Sequence, residues 1–296
     1  MSRNQQNSFS NSRKSSSRFK LTGCLIFTAC ALIVLLIAAF IKLKVYYACG
    51  GVEYDGYLGH TATGTTYNGE LQTHYTLRPG TTAIQKNVNT NSGIFHVAEV
   101  IDLPDSLVTI GDQVFMSTTG LKSIVIPNSV ASMGSQVFES CTDLESVTLS
   151  ERLTEIPDSC FSWCKSLKSI DIPNGVTSIG SNAFEGCSSL KSVIIPNSVA
   201  RIAGSAFAEC TSLSEVTLSD RVTIIKPLTF FGCEKLKNIV IPDSVSLINA
   251  RAFELCSGLE TVSVSGSTKI EPNAFPPNTK IIKRPAAASV PKRHSN

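Results

Sequence analysis

The strongest constraint on this chain is a repeat of 23 residues. Pro or Ser recurs at Pro104, Pro127, Ser150, Pro173, Pro196, Ser219, Pro242 and Ser265, each 23 after the last. Take that residue as position 0. Leu or Val then stands at +3, from Leu107 to Val245, and Ile or Met at +6, from Ile110 to Ile248. Phe stands at +11 in all seven units, from Phe115 to Phe253, and Leu at +17, from Leu121 to Leu259. Positions +20 and +22 carry apolar pairs such as Ile124/Ile126, Val193/Ile195 and Ile239/Ile241. One such unit cannot bury its own apolar face, so neighbours must stack and share a continuous core. The segment from +18 to +22 alternates in and out as a short strand does. The expected fold is therefore a repeat solenoid.

The stretch Ser181-Asn182-Ala183-Phe184-Glu185-Gly186-Cys187-Ser188-Ser189-Leu190 shows the repeat most clearly. With the I-P-x-x-V-x-x-I-G run before it, it resembles the BspA-like class of leucine-rich repeats. The resemblance covers about 160 residues, Pro104 to Val264. It implies a leucine-rich-repeat right-handed coil with a parallel β-sheet on the concave face and short helical or irregular segments opposite. It also implies a class of surface proteins linked to adhesion.

The expected organisation has six parts: a disordered cytosolic tail (1–20), one transmembrane helix (21–41), a juxtamembrane spacer and N-terminal cap (42–97), the solenoid (98–264, seven full repeats from 104), a degenerate capping repeat (265–282) and a disordered basic tail (283–296). The first 20 residues are polar and basic, with too little apolar surface to order themselves. Leu21 to Ile41 is 21 residues without a charge, which as a helix would span about 31 Å, close to a bilayer core. Five Lys/Arg precede it and two, Lys42 and Lys44, follow. That asymmetry favours a cytosolic N-terminus and a repeat domain that is extracellular, periplasmic or lumenal, the single-pass type II arrangement. A cleaved signal peptide is the rival, but its apolar core is normally shorter.

Charge bears on partners. Seven Lys/Arg and no acid precede Val45, and five Lys/Arg and no acid follow from Lys280 onward, which leaves 14 of the 26 Lys/Arg against all 23 Asp/Glu between them. An acidic body of this kind argues against a nucleic-acid partner. No nucleophile elbow, zinc-protease helix or P-loop occurs, so no enzyme and no cofactor is expected.

Six of the ten cysteines fall at +14: Cys141, Cys164, Cys187, Cys210, Cys233 and Cys256. The repeat period explains them as a ladder of small buried thiols. Disulfides are the alternative in an oxidising compartment. Cys49, just past the apolar segment, could link two chains or be a spacer residue.

Partner binding in a solenoid belongs to its variable columns, here the strand face. Column +18 supplies Lys122, Glu145, Lys168, Lys191, Lys237 and Glu260 as candidates. Columns +19 and +21 supply Glu215, Val125, Asp171, Ile194 and Val240. This reads as a mixed-charge groove with apolar studs, centred on Lys168, Lys191 and Lys237 and suited to an extended protein partner. Glycan or cell-wall binding, a structural surface layer, and a solvated face with no partner are the competing readings.

Overall fold

The computed structural model describes residues 52–54, 61–65, 73–85, 95 and 98–285. All lie in the unit Cys49–Asn296. The expectations for 1–20, for the apolar segment 21–41, for Cys49 and for most of the basic tail fall outside the described residues. Among the described residues no helix is long and apolar enough to cross a membrane.

The described chain is a parallel β-solenoid of about nine turns. One wall is made by three-residue strands at +19 to +21. Ser123–Val125 pairs with Ser146–Thr148, Ser192–Ile194 with Glu215–Thr217, and Asn238–Val240 with Thr261–Ser265, in parallel and in register. The middle residue of each strand points inward, as Ile124, Val193 and Ile239 do. A second wall is made by two-residue strands at +5 and +6, where Ile110 pairs with Met133 and Ile156 with Ile179. No helix is present among the described residues, so the segment opposite the sheet is built from turns and not from the short helices the resemblance allowed.

That third wall has its own backbone logic. Residues at +9 and +13 are left-handed in coil after coil, for example Gln136 (φ 60) with Ser140 (φ 61), and Ser159 (φ 53) with Trp163 (φ 61). The two reversals bracket the +11 Phe and turn the N–H groups of +9, +11 and +13 toward the next coil. Gln136, Phe138 and Ser140 donate to the carbonyls of Asp158, Cys160 and Ser162 at 2.8–2.9 Å. Held this way, the aromatic rings form one stack from Tyr75 through Phe95 to Phe275, with centroids 5.0–5.6 Å apart. The eight Phe side chains of this stack from Phe95 to Phe253 are fully buried.

The cysteine column lies against this spine. Each Sγ–H donates to the Phe carbonyl of the preceding coil, from Cys141 to Phe115 at 2.9 Å through Cys256 to Phe230 at 3.0 Å. The seven described cysteines are free thiols, all buried. Burial pushes the Cys141 thiol up to about 12 and raises Cys164 and Cys187 as well. The column therefore favours the protonated thiol.

The ladder extends beyond the sequence period at both ends. His74–Thr76 pairs with Val100–Asp102 and Ala83–Ile84 with Thr109–Ile110, each at an offset of 26. A coil thus exists within the stretch expected to be spacer and cap. At the other end Lys280–Arg284 pairs with Thr261–Ser265, so Lys283 and Arg284 lie in the ladder and not in a tail. Arg284 pins this last strand by donating to the Ile241 carbonyl and to Asp243, both at 2.6 Å.

Candidate functional site

The outward side chains of the +18, +19 and +21 columns lie on the same strand wall in successive coils. Its inward neighbours fill the core, so the face is rigid and its residues are free to vary. Each coil contributes one row of two or three side chains.

The N-terminal rows are tied together by polar contacts. His74 Nε2 lies 2.8 Å from Asp102, and Thr76 donates to the same carboxylate at 3.1 Å. The His74 hydrogen bond holds the Asp102 carboxyl below the usual aspartate range. Lys122 shares the next row with Val125, which is 63% exposed. Lys168 then reaches back to pair with Glu145, and that contact lowers the Glu145 carboxyl.

The row Lys168/Asp171 marks a break. Residues 168–172 form no strand, although their neighbours at 146–148 and 192–194 do. Lys168 was expected near the centre of a groove with Lys191 and Lys237; the structure engages it instead with Glu145, one coil toward the N-terminus.

Beyond the break lies an open groove of 1080 Å³. Lys191, Glu215, Lys237 and Val240 line it, with Thr217 and Ser263 on its floor. Ile194 stands beside it in the same column as Val240, 70% and 64% exposed respectively. Glu260 belongs to the row of Thr261–Ser265, and Thr261 donates to Asn238 across the sheet. The strand Lys280–Arg284 adds a row that the sequence reading left out. Ile282 pairs with Ser263 and so continues the Ile194/Val240 column. The offset here is 19 residues and not 23, which hides the row from a fixed period. His74 and Thr76 were missed for the same reason, at an offset of 26.

No group of three His, Cys, Asp or Glu among the described residues is placed to hold a metal ion. The face presents paired and unpaired charges, hydroxyls and β-branched side chains, with no aromatic ring in its three columns from Glu99 to Ile282.

The family model described as BspA type Leucine rich repeat region matches residues 93–213 and 154–283, in 6 copies. No curated protein matches the chain. Among solved structures, a leucine rich cell surface protein from Faecalibacterium prausnitzii is similar at 21% identity, covering 78% of this chain and 92% of that one, with a TM-score of 0.34. The leucine rich repeat protein of T. pallidum is similar at 22% identity over 77% and 89%, with a TM-score of 0.44. The pneumococcal vaccine antigen PcpA is similar at 18% identity over 75% and 77%, with a TM-score of 0.36.

Proposed function

The chain belongs to the BspA-type leucine-rich repeat family, and from that premise we propose that it is a membrane-anchored surface protein that binds another protein through the strand face of its solenoid. Protein binding or adhesion is the general role this family points to. The anchor is the uncharged segment Leu21–Ile41, and the excess of Lys/Arg before it orients the solenoid away from the cytosol. The strand face is the concave one, and its centre is the groove around Lys191, Lys237 and Val240.

The observation that carries this reading is the contrast between the walls. The inward columns are nearly invariant in type, whereas the outward columns change charge from row to row and expose Val125, Ile194 and Val240. Scattered exposed apolar residues are ordinary on a protein surface. Their recurrence at one column of the repeat, and not at random, supports a contact surface.

Two measurements test the proposal. A C-terminal tag on intact cells is expected to be digested by added protease without lysis; protection until lysis would place the solenoid elsewhere. Reversing charge at Lys191 and Lys237 together is expected to abolish capture of the partner with no change in the circular dichroism spectrum. Undiminished capture would remove this face from the account.

A further inference from the structure

The C-terminal half of the face alternates in chemistry from coil to coil. Lys191 stands with Ile194 and Lys237 with Val240, both cations at +18, whereas Lys280 shares the row of Ile282 but pairs with Thr261 and so lies one column over, at +19. The rows between them carry Glu215 with Thr217, and Glu260 with Ser263. A cation with a β-branched side chain thus recurs every second coil, and an acid with a hydroxyl fills each interval. The strand register aligns Ile194 with Thr217, and Val240 with Ser263 and Ile282, and the 23-residue repeat places the two sets in one column. Lys191, Lys237 and Lys280 make no ion pair in the described structure.

Resting on the reading of this face as a partner surface, we propose that its occupant is an extended polyproline-II segment with one apolar side chain and one carboxylate in every three residues, laid along the solenoid axis over Ile194, Val240 and Ile282. The periods decide this. Two coils of a parallel ladder advance ~9.6 Å, taking ~4.8 Å per strand. Three residues of a polyproline-II helix advance ~9.3 Å and return to the same side. A β-strand repeats its face every ~6.7 Å, and an α-helix repeats its face over seven residues at ~10.5 Å. Over the two intervals from Ile194 to Ile282 the polyproline-II segment stays within ~1 Å of register, whereas the α-helix drifts by ~2 Å.

The chemistry agrees with the geometry. The ammonium groups of Lys191 and Lys237, two coils apart in one column, take carboxylates at that spacing, and Ile194, Val240 and Ile282 take the apolar side chains. A polyproline-II backbone has no internal hydrogen bonds, so its carbonyls need donors. The Thr217 and Ser263 hydroxyls stand at the intervals, where those carbonyls pass. Glu215 and Glu260 reject a run of consecutive acids, which makes the spacing of charge, and not its total, the selected property. The strands themselves are three residues wide, about 10 Å, room for one such chain.

The test uses the full-length protein and a fluorescein-labelled peptide of four Pro-Asp-Leu triplets, read by fluorescence anisotropy. One comparator has the same composition in scrambled order; a second is a helical peptide with Leu and Asp at seven-residue spacing. The triplet peptide is expected to bind, and to bind more tightly than either comparator. Ile194→Ser with Val240→Ser, and separately Lys191→Glu with Lys237→Glu, are each expected to weaken it about tenfold or more, with an unchanged thermal melt. Equal binding of the scrambled peptide, tighter binding of the helical one, or no binding of the triplet peptide would overturn the inference. If the triplet peptide fails while a partner is still lost on Lys191 and Lys237 reversal, the inference falls and the proposed function stands. If partner capture also survives that reversal, both fall.

Discussion

Replacing Phe184 by Ala tests the physical basis of the solenoid. Phe184 is fully buried at the middle of the ring stack, 5.4 Å from Phe161 and 5.2 Å from Phe207. Truncating a buried Phe to Ala costs about 3–5 kcal/mol in transfer and cavity terms. Two stacked aromatic pairs are lost with it, each contributing about 0.5–1.5 kcal/mol. The upper half of the cavity range, about 4–5 kcal/mol, is the expected loss, since the hydrogen-bonded turn at Phe184 (to Ala206, 2.8 Å) restrains the backbone from collapsing. Urea unfolding followed by Trp163 reads this directly, because it is the sole Trp and lies one coil away. Ile194→Ala, at an exposed site, is the control and should change stability by no more than about 0.5 kcal/mol. A loss below about 1 kcal/mol for Phe184→Ala would refute the view that the ring stack organises the core.

Four further outcomes follow from named contacts. A Cβ at Gly186, where φ is +70, would meet the Trp163 ring at 2.7 Å; Gly186→Ala is expected to cost about 2 kcal/mol in urea unfolding followed by circular dichroism, and adding Trp163→Ala should recover the steric part only. Leu255 is 62% exposed with φ 60, so Leu255→Gly should leave stability unchanged or raise it by up to about 1 kcal/mol; a clear loss would mean its side chain is engaged. The seven described thiols should react with a disulfide reagent at pH 8 only as fast as the solenoid opens, since each is buried with its pKa raised or its Sγ–H bonded; fast labelling of any of these seven in folded protein would contradict their burial. Glu271 accepts the Ala250 N–H and the Asn249 amide, which lowers its carboxyl pKa. Its contribution is therefore present above the usual glutamate range and lost as pH falls through the lowered value, and the Ala250 amide shift should titrate below that of an unfolded glutamate.

Much of this fold was legible because the core columns repeat without insertion from Pro104 to Val264. Periodicity identified the inward strand residues, the Phe spine and the buried thiols. It failed where the offset changes. Tyr75 and Ile101 are 26 apart, and Phe95 lies only 20 before Phe115, so the first coil has no fixed period to find. The matched alternation of His74-Tyr75-Thr76 and Val100-Ile101-Asp102 was the signal available. The left-handed turns were hidden for a different reason. Gln, Ser, Trp, Glu and Leu fill those positions in most coils, so the strain is borne by the stack and leaves no glycine signature. In the candidate site, column spacing placed Lys191, Ile194, Lys237 and Val240 on the outward columns of the strand wall. It could not show that Lys168 turns to Glu145, because rotamer choice between two neighbouring rows is not a periodic property.

The central claim is that a partner seats on the strand face. Site-specific photo-crosslinking measures this most directly, with the crosslinker at Thr217 in the groove or at Ser257 on the turn wall, in the full chain on intact cells. The account predicts a single covalent adduct from Thr217 and none from Ser257, competed away by unlabelled partner. Adducts from Ser257 alone would contradict it and move the binding surface to the opposite wall.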